Sequence, residues 1–567
     1  MAKTKTQSMA KGFTILGAAG LINKVLGIVY VSFLTRIFEM MGKGYGNVGN
    51  GIYNAGYQIY LFVFVITNQG IPVAISKMVS EQTELGRYED AYSTFKVSSM
   101  LLIALGIVTT LFTAFASGWL ANLINRPTAA WTVLALAPTM LFTAIASAYR
   151  GYFQGRANMT PTGVSQVLEQ LINSILTIAF AFVMLRFGQN YVASRGITDP
   201  ETAKLIPLQF AAAGGTVGTT VGAMVSALYL AVTFNRFKRT LRDEIRNEKR
   251  LRRQETTSRR AINRKTSLKK LGLQVGKYAL PITLGAALVY AANLIDLGFI
   301  NQRLATAGFD ESAATSLYGI FSTQYQKIIN IPLSLVSALA AALLPRISAV
   351  AAKGAKRELE GRVNSAFRVV FFIAIPAAVA MGVLARPIIW VLFWRNIAGM
   401  ELLQVGAGVV VLMGMVQVQT ATLQGIGKMH IPIRNMAIGL AVKIVVNYIL
   451  VAVPSINVMG AVFGSWACYL ITVTLNWISI RRATKVRVNL RANFVFPLVA
   501  SGMAGSLAWI LYNSLLKLLT KLVVDPYIKN LGSVVFVFAV AAFVYLAAMY
   551  YLHGKPKGLK KLVFGDG

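Results

Sequence analysis

The chain contains many apolar runs of about 20 residues, the length that an α-helix needs to cross roughly 30 Å of hydrocarbon. Of its 567 residues, 56% are hydrophobic and only 13% are charged. A soluble domain carries about a quarter charged residues, and a soluble protein this apolar could not cover its surface with polar groups. Because a backbone in lipid must satisfy its own hydrogen bonds, we predict an all-α polytopic membrane protein.

The length rule predicts about fourteen transmembrane helices. The second and eighth are long and are interrupted by Gly or Pro. The first run starts near Gly12 and is long enough to span, so we predict no cleavable signal peptide. The single cysteine, Cys468, rules out an intramolecular disulfide. The predicted spans are 13–37, 50–77, 94–118, 128–150, 161–186, 207–235, 274–302, 316–348, 368–392, 401–423, 434–455, 457–480, 494–516 and 531–552.

Positive residues are distributed unevenly between the two sides. With the N-terminus inside, roughly 40 of the 56 Lys and Arg residues fall in the predicted inside segments. This bias predicts an even number of spans with both termini cytoplasmic. The densest basic loop covers 236–270, and its predicted partners are anionic lipid headgroups, which attract each nearby Lys or Arg by about 1 kcal/mol. Nucleic-acid binding is the alternative for such a run, and we do not predict it.

A turn motif occurs twice, each time between two long apolar runs. "YFQGRANMTPTGVSQ" starts at Tyr152 and "LQGIGKMHIPIRN" at Leu423, and both contain Gln-Gly, a Met five residues after the Gln, and then a Pro. A second pair of similar segments is "GIPVAISKMVSE" and "LLPRISAVAAKG". We therefore predict two parallel six-helix repeats. The predicted domains are an N-lobe (1–235), a basic cytoplasmic linker (236–273), a C-lobe (274–480), and two further helices with a basic tail (481–567).

The repeated turn has a structural explanation. Gly155 and Gly425 are expected to end a helix in the left-handed conformation. Pro161 and Pro432 suit the first turn of the following helix. The motif by itself therefore predicts a duplicated helical hairpin, and no binding site.

Signs of enzyme chemistry are missing from the sequence. It has no GK[ST] phosphate loop, and no predicted span contains paired carboxylates for hydrolysis. His430 and His553 lie at or near predicted inside ends, so no paired-His metal site is available. We predict neither an enzyme nor a metal site. Two lobes that meet at the bilayer midplane predict a transporter that works by alternating access.

Several motifs point to one family when their order and spacing are taken together. They are "NKVLG" in span one, "RGYFQG…MTP" after span four and "NLIDLGF" in span seven. The chain resembles the MurJ/YtgP/SpoVB group of polysaccharide-lipid exporters, and most closely the YtgP-like branch of Gram-positive bacteria. This group belongs to the multidrug/oligosaccharidyl-lipid/polysaccharide (MOP) exporter superfamily.

The resemblance implies a flippase in the bacterial cytoplasmic membrane that acts beside the cell-wall synthesis machinery. Its substrate would be lipid II, the undecaprenyl-linked peptidoglycan precursor, which it would move from the inner to the outer leaflet. No cofactor is implied, and the membrane potential or a monovalent cation is left as the energy source. In this family, spans thirteen and fourteen add a groove that can hold the lipid tail.

Lys24 in span one and Lys327 in span eight stand where the family usually has arginine. Charges inside spans are costly and usually face a cavity or a partner. One cation from each lobe in a shared cavity would suit a pyrophosphate headgroup, although lysine binds phosphate as a point charge without arginine's fork. The alternative for each is a local carboxylate partner or snorkelling to an interface. At Tyr30 and at Gln69 this chain differs from the better-known members of the family. The identity of the substrate headgroup therefore stays open.

Span five carries a polar helical face whose members are spaced by three, four and seven residues. Such a face either lines a cavity or forms a hydrogen-bonded seam with another helix. In a cavity, Gln166 and Glu169 would contact the substrate, and Glu169 would pair with Lys24 or Arg150 in its absence. Arg150, at the inside end of span four, would meet an incoming anion or contact lipid headgroups. The face consists of Gln166, Glu169, Gln170 and Asn173.

Asp296 matches a carboxylate on span seven that some family members use, with polar side chains of span eleven, to hold sodium. Span eleven of this chain has Lys443 and Asn447 at i and i+4 on one face. Burying either charge alone would cost several kcal/mol, whereas a hydrogen-bonded pair recovers much of that cost. We expect Lys443 to pair with Asp296, assisted by Asn447, in place of sodium. The alternative is that Lys443 binds substrate phosphate beside Lys327.

Other functions stay open at this stage. One is export of another undecaprenyl-linked glycan, such as a capsule or teichoic-acid precursor. Another is cation-coupled multidrug export, which would favour acidic cavity residues, whereas this chain has more basic than acidic candidates. A scaffold for wall synthesis without transport would not need charges at the midplane.

Overall fold

The structure is a computed structural model that describes residues 9–255, 268–352, 355–485, 491–519 and 525–553. Within these ranges every regular element is a helix, so the predicted all-α class is confirmed. The chain forms two compact units, Met1–Gly298 and Phe299–Gly567. The division into lobes at 1–235 and 274–480 stays a prediction.

The first unit contains nine helices and most of a tenth. A short 3-10 turn, Pro127–Ala129, precedes the sixth. The helices are α1 (Met9–Glu39), α2 (Tyr45–Asn68), α3 (Gly70–Glu84), α4 (Tyr88–Phe115), α5 (Ser117–Leu123), α6 (Ala130–Leu136), α7 (Thr139–Gly155), α8 (Thr160–Ser194), α9 (Thr202–Glu255) and α10 (Leu268–Thr306).

The second unit holds the end of α10 and ten further helices. Two π-helical segments interrupt them, Ile320–Gln326 and Arg491–Val495. The helices are α11 (Glu311–Gly319), α12 (Lys327–Ala352), α13 (Lys356–Val383), α14 (Ala385–Leu392), α15 (Met400–Gly406), α16 (Val409–Gly425), α17 (His430–Leu450), α18 (Met459–Thr484), α19 (Phe496–Leu519) and α20 (Pro526–His553).

Ten helices in the described ranges are long and apolar enough to cross a membrane, or up to twelve when two bent pairs each count as one span. The bent pairs are α6 with α7, at 43°, and α15 with α16, at 46°. α10 and α12 occupy the positions of predicted spans seven and eight but are not among these twelve. The chain is a multi-pass membrane protein, and the count of fourteen stays a prediction.

The predicted second span is broken where α2 meets α3. Pro72 has no amide hydrogen to donate, and its ring crowds the preceding turn, so one helix cannot continue through it undisturbed. α7 contacts the chain at this break, because Ser147 Oγ of α7 donates a hydrogen bond to Asn68 Oδ1. A methyl group on Gly151 of α7 would lie 2.8 Å from the Pro72 carbonyl oxygen, so α3 and α7 pack with little space between them.

Small residues also bring α8 and α9 together. Gly214, Gly218 and Gly222 repeat every four residues along α9, so they lie on one face. A methyl group on Gly218 would lie 2.5 Å from the Thr177 backbone nitrogen, and one on Gly222 would lie 2.6 Å from the Glu169 carbonyl oxygen. The helix backbones therefore touch, as is common between transmembrane helices that lack a hydrophobic driving force for association.

α9 continues well beyond the predicted end of span six. Its 54 residues span about 80 Å at 1.5 Å per residue, far more than the bilayer core requires. Residues 236–255 of the predicted basic loop are therefore helical, and 256–267 lie outside the described residues. An ion pair stabilises this extension of α9, because Arg156 Nη2 lies 2.6 Å from Glu244 Oε1.

The two Gln-Gly turns have the same hydrogen-bond pattern. In each turn a left-handed residue lies two positions after the glycine, Ala157 with φ 52° and Gly427 with φ 81°. The amide one residue further on donates back to a carbonyl five residues earlier, which is the Schellman motif. The two bonds are Asn158 N to Phe153 O and Lys428 N to Leu423 O, both 2.9 Å.

The prediction that Gly155 and Gly425 take the left-handed conformation is wrong, because both are the last residues of helices. Gly155 is instead needed for a close approach, since a methyl group there would lie 2.7 Å from the Ser76 carbonyl oxygen. Pro161 and Pro432 lie in the first turns of α8 and α17, as predicted.

Ala157→Gly should raise the free energy of unfolding by about 1 kcal/mol, because the left-handed conformation costs an L-residue roughly 1–2 kcal/mol and glycine nothing. Gly427→Ala, at the equivalent turn, is the matched control and should lower it by a similar amount. Thermal unfolding in detergent measures both. An unchanged midpoint for Ala157→Gly beside a lowered one for Gly427→Ala would contradict the left-handed assignment of Ala157.

Candidate functional site

Arg150 and Glu169 form an ion pair where α7, α8 and α9 meet. Arg150 Nη2 lies 2.6 Å from Glu169 Oε2, and the side chains are 14% and 26% exposed. The same guanidinium donates through Nε to Ser165 Oγ at 3.1 Å and through Nη2 to Ser226 Oγ at 2.8 Å. Hydrogen bonds between charged partners are the stronger kind. Of the two partners predicted for Glu169, the structure therefore shows Arg150.

The polar face of span five forms a hydrogen-bonded seam at one end. At its far end, Asn173 is buried, and its Oδ1 accepts hydrogen bonds from Thr177 Oγ1 at 2.9 Å and from Thr219 Oγ1 of α9 at 3.1 Å. This part is an interhelical seam. Gln166 and Glu169, at the other end, are only half-buried. The seam is thus present at Asn173, and a cavity lined by Gln166 and Glu169 stays a prediction.

Lys24 lies at an exposed position of α1. Among the described residues it has no ion-pair partner. One turn further on, Gly27 faces α8, since a methyl group there would lie 3.9 Å from Gln170 Nε2. Lys24 is therefore on the helix that packs beside the polar face, and its role as a substrate ligand stays a prediction.

A tyrosine cluster on α1 and α2 escaped the sequence analysis. Tyr30 Oη lies 3.5 Å from Tyr53 Oη, and Tyr53 stacks on Tyr57 with ring centroids 5.7 Å apart. Tyr57 in turn contacts Tyr60 edge-on at 5.3 Å. The signal was present in "YNAGYQIY", whose tyrosines follow the i, i+4, i+7 spacing of one helical face. The cluster places phenol groups beside Tyr30, one of the positions at which this chain departs from the better-known members of the group it resembles.

Lys327 is the first residue of α12 and directly follows the π-helical segment Ile320–Gln326. π-helical turns are rare and are frequent at functional sites. The segment is anchored from outside its own helix, because Gln324 Oε1 accepts a hydrogen bond from the Gly399 amide at 2.7 Å. The Tyr325 ring packs directly against Gly406, where a side chain would clash with it. Lys327 is half-buried at the end of this fixed irregular turn.

Lys443 and Asn447 lie on the face of α17 that packs against α18. A methyl group on Gly464 of α18 would clash with Asn447 Oδ1 and would lie 3.3 Å from Lys443 Cγ. The exposed fractions are 8% for Lys443, 1% for Asn447 and 4% for Asp296. The predicted shared face of Lys443 and Asn447 is thus present. Asp296 belongs to the other unit, and its pairing with Lys443 stays a prediction.

The second unit contains an apolar groove between α13, α19 and α20, with a cavity volume of about 320 Å³. Tyr545 Oη of α20 donates to the Phe372 carbonyl oxygen of α13 at 2.9 Å, which ties two of its walls together. A methyl group on Gly505 of α19 would lie 2.6 Å from Val379 of α13, so the third wall also packs closely. The lining includes Phe372, Pro376, Ala504, Phe538 and Leu546.

Among the described residues, no group of three His, Cys, Asp or Glu side chains could hold a metal ion. The polar groups of the candidate site are instead cations, amides and hydroxyls. The candidate anion ligands are Lys24 and Arg150 in the first unit, where Gln166 and Glu169 lie on the polar face of α8, and Lys327 in the second unit. Such a set can bind phosphate oxygens through charge-assisted hydrogen bonds.

Sequence comparison identifies relatives of the chain. The family described as "Polysaccharide biosynthesis protein" matches residues 9–351, more than half of the chain. The "Lipid II flippase MurJ" of Bacillus subtilis (strain 168) is 24% identical over 495 residues, which cover 84% of this chain and 83% of that protein. The predicted resemblance to the MurJ/YtgP/SpoVB group is confirmed. These relatives agree with the prediction that the chain is not an enzyme.

Solved structures share the fold. "Lipid II flippase MurJ, inward closed conformation" matches with a TM-score of 0.60 and 13% identity, covering 95% of this chain and 99% of that chain. An inward-facing multidrug resistance MATE family transporter of the MOP superfamily matches with a TM-score of 0.59 and 16% identity, covering 84% of this chain and 99% of that chain. At these identities the likeness shows the fold alone, and the two scores do not separate flippase from drug exporter.

Proposed function

Because the chain belongs to the family of polysaccharide biosynthesis proteins, we propose that it is a flippase for lipid-linked glycan precursors and that its substrate is lipid II. The observation that carries the proposal is the apolar groove between α13, α19 and α20. The structural match with the multidrug transporter covers 84% of this chain, whereas the match with the MurJ structure covers 95%. A long isoprenoid tail needs such a groove beside the translocation path, and a small drug does not.

The charged end of the substrate is bound by cations. Lys24, Lys327 and Arg150 are the proposed ligands of the diphosphate, and Gln166 donates to the glycan. Arg150 exchanges its Glu169 partner for phosphate when substrate arrives, so its guanidinium has an anionic partner in both the empty and the loaded state. Movement of one lobe against the other then exposes the headgroup to the opposite side.

No cofactor takes part in the proposed cycle. An inside-negative membrane potential favours outward movement of an anionic headgroup, at about 2.3 kcal/mol per charge per 100 mV. A monovalent cation is the alternative energy source. The excess of Lys and Arg in the predicted inside segments supports an orientation in the bacterial cytoplasmic membrane with both termini inside. It also supports contact of the 236–270 segment with anionic lipids. The proposed substrate implies that the protein acts beside the cell-wall synthesis machinery.

Two alternative substrates are compatible with parts of the site. Another undecaprenyl-linked glycan, such as a capsule or teichoic-acid precursor, presents the same phosphate groups and tail. A cationic drug in a cation-coupled exporter is favoured only by the fold similarity to the multidrug transporter. The basic character of Lys24, Lys327 and Arg150 opposes it, because like charges repel.

Lys24→Ala and Lys327→Ala should each reduce lipid II movement about 10- to 100-fold, since a hydrogen bond to a charged group contributes about 1.5–3 kcal/mol. Lys24→Arg and Lys327→Arg are the matched controls and should keep most of the activity, because they retain the charge. Growth of cells with each variant as sole flippase, together with its abundance in the membrane, measures the effect. Normal growth with both alanine variants would remove the cationic site from the mechanism.

We further propose that Lys443 takes the place of a sodium ion by pairing with Asp296, assisted by Asn447. The burial of all three side chains supports this pairing, because a buried charge needs a partner. Transport then needs no sodium at this position. The alternative, in which Lys443 binds substrate phosphate beside Lys327, predicts that Asp296 can be neutralised without loss.

Lys443→Met should be strongly harmful, since breaking a buried pair costs about 3–5 kcal/mol by leaving one charge alone. Adding Asp296→Asn to Lys443→Met should recover much of the lost abundance and flux. Lipid II movement in vesicles with and without sodium completes the test. Sodium-dependent movement by the unmodified protein, or a double variant no better than the single one, would refute the built-in cation.

A further inference from the structure

α3 and α10 cross with their backbones in contact at Gly70. A Cβ atom on Gly70 would clash with the Ala279 carbonyl oxygen and with Thr283 Oγ1, and it would lie 3.0 Å from the Ala279 carbonyl carbon. Gly70 and Ala279 are both buried. Because two of the obstructing atoms belong to backbone, no rotamer change can make room. Only glycine fits this crossing.

The contact extends along α3 beyond Gly70. Ile71, Ala74 and Ile75 of α3 share one buried apolar cluster with Leu271 and Val275 of α10. In the middle of α3, Lys77 Nζ lies 4.2 Å from the centroid of the Tyr278 ring. This cation–π contact is exposed and therefore weak. The contact therefore combines the close approach at Gly70 with a shared apolar cluster, and Lys77 lies on its exposed side.

The crossing lies within the first compact unit, Met1–Gly298, and it joins elements that the sequence assigns to different predicted lobes. α3 ends predicted span two of the N-lobe, and α10 forms predicted span seven of the C-lobe. Lys77 is the last residue of predicted span two, and α10 begins within the predicted cytoplasmic linker 236–273, so the contact lies at the predicted inside end. In alternating access, contacts between lobes at one end must form and break once in each cycle.

We propose that Gly70 is the residue that permits the inside end of the transporter to close, by letting α3 seat against the backbone of α10 at Ala279. This inference rests on the proposed function, because it takes the two lobes to move during transport. A side chain at position 70 holds the two helices apart and shifts the protein towards its inside-open state. The closed state should lose about tenfold in population, as overpacking of a close contact commonly does.

The test uses the full-length protein with Lys77→Cys and Tyr278→Cys in membrane vesicles. Its single native cysteine, Cys468, is buried, so background reaction is low. A short bifunctional maleimide should cross-link the pair and stop lipid II movement. Adding Gly70→Val should lower the cross-linked fraction and the rate of lipid II movement about tenfold each.

The matched control is Gly276→Ala on α10, because a Cβ there meets no atom within 4 Å. It should leave cross-linking and transport unchanged. Equal cross-linking in the Gly70→Val and Gly70 proteins would overturn the proposal, and so would full transport by the cross-linked Gly70 protein. Gly70→Ala provides a milder variant. If neither variant accumulates in the membrane, the transport activity of the cross-linked Gly70 protein decides the proposal.

The two proposals fail in different ways. Cross-linking reports the closeness of α3 and α10 and needs no substrate. If the Gly70 protein moves no lipid II but Gly70→Val lowers the cross-linked fraction, the proposed substrate is wrong and the role of Gly70 in closure stands. If the Gly70 protein moves lipid II and the Gly70→Val protein cross-links as well as the Gly70 protein, the proposed function stands and the role of Gly70 is wrong.

Discussion

Hydrocarbon offers no hydrogen-bond partners, and the architecture of this protein depends on that constraint. Each lipid-facing backbone must satisfy itself as a helix, and apolar side chains gain little by leaving lipid for one another. Helices therefore associate through close contact of small residues and through a few polar seams. Gly218 and Gly222 bring α9 onto the backbone of α8, and Gly151 does the same for α7 at α3. Asn173 then joins α8 to α9 through hydroxyl partners.

The same constraint explains how the protein can carry cations in its spans. A charge at the centre of a bilayer costs at least about 2.5–3.5 kcal/mol. Arg150 meets this cost with Glu169 and two serine hydroxyls, and Lys443 lies buried beside Gly464. A diphosphate offers more acceptor oxygens than a carboxylate. It can therefore replace Glu169 on Arg150 without leaving the guanidinium bare, so a resting ion pair and a substrate site can use the same residue.

The sequence could predict what depends on length and periodicity, and less of what depends on contacts between distant residues. Apolar runs of spanning length predicted the helices, and the duplicated Gln-Gly turn predicted a shared hairpin geometry. The sequence did not reveal that the left-handed residue is Ala157, because the hydrogen bonds of the turn decide where the helix ends. It did not reveal the π-helix before Lys327 either, since that segment is fixed by the distant Gly399. The choice of Arg150 over Lys24 as the partner of Glu169 likewise depends on how α7 and α8 pack.

The central claim is that this chain carries a lipid-linked diphosphate from the inner to the outer leaflet. The most direct measurement depletes the protein in cells that have no other lipid II transporter and follows outer-leaflet lipid II with a membrane-impermeant probe. We expect the outer-leaflet fraction to fall as the protein disappears, while lipid II accumulates in the inner leaflet. An outer-leaflet fraction that stays constant after complete depletion would contradict it.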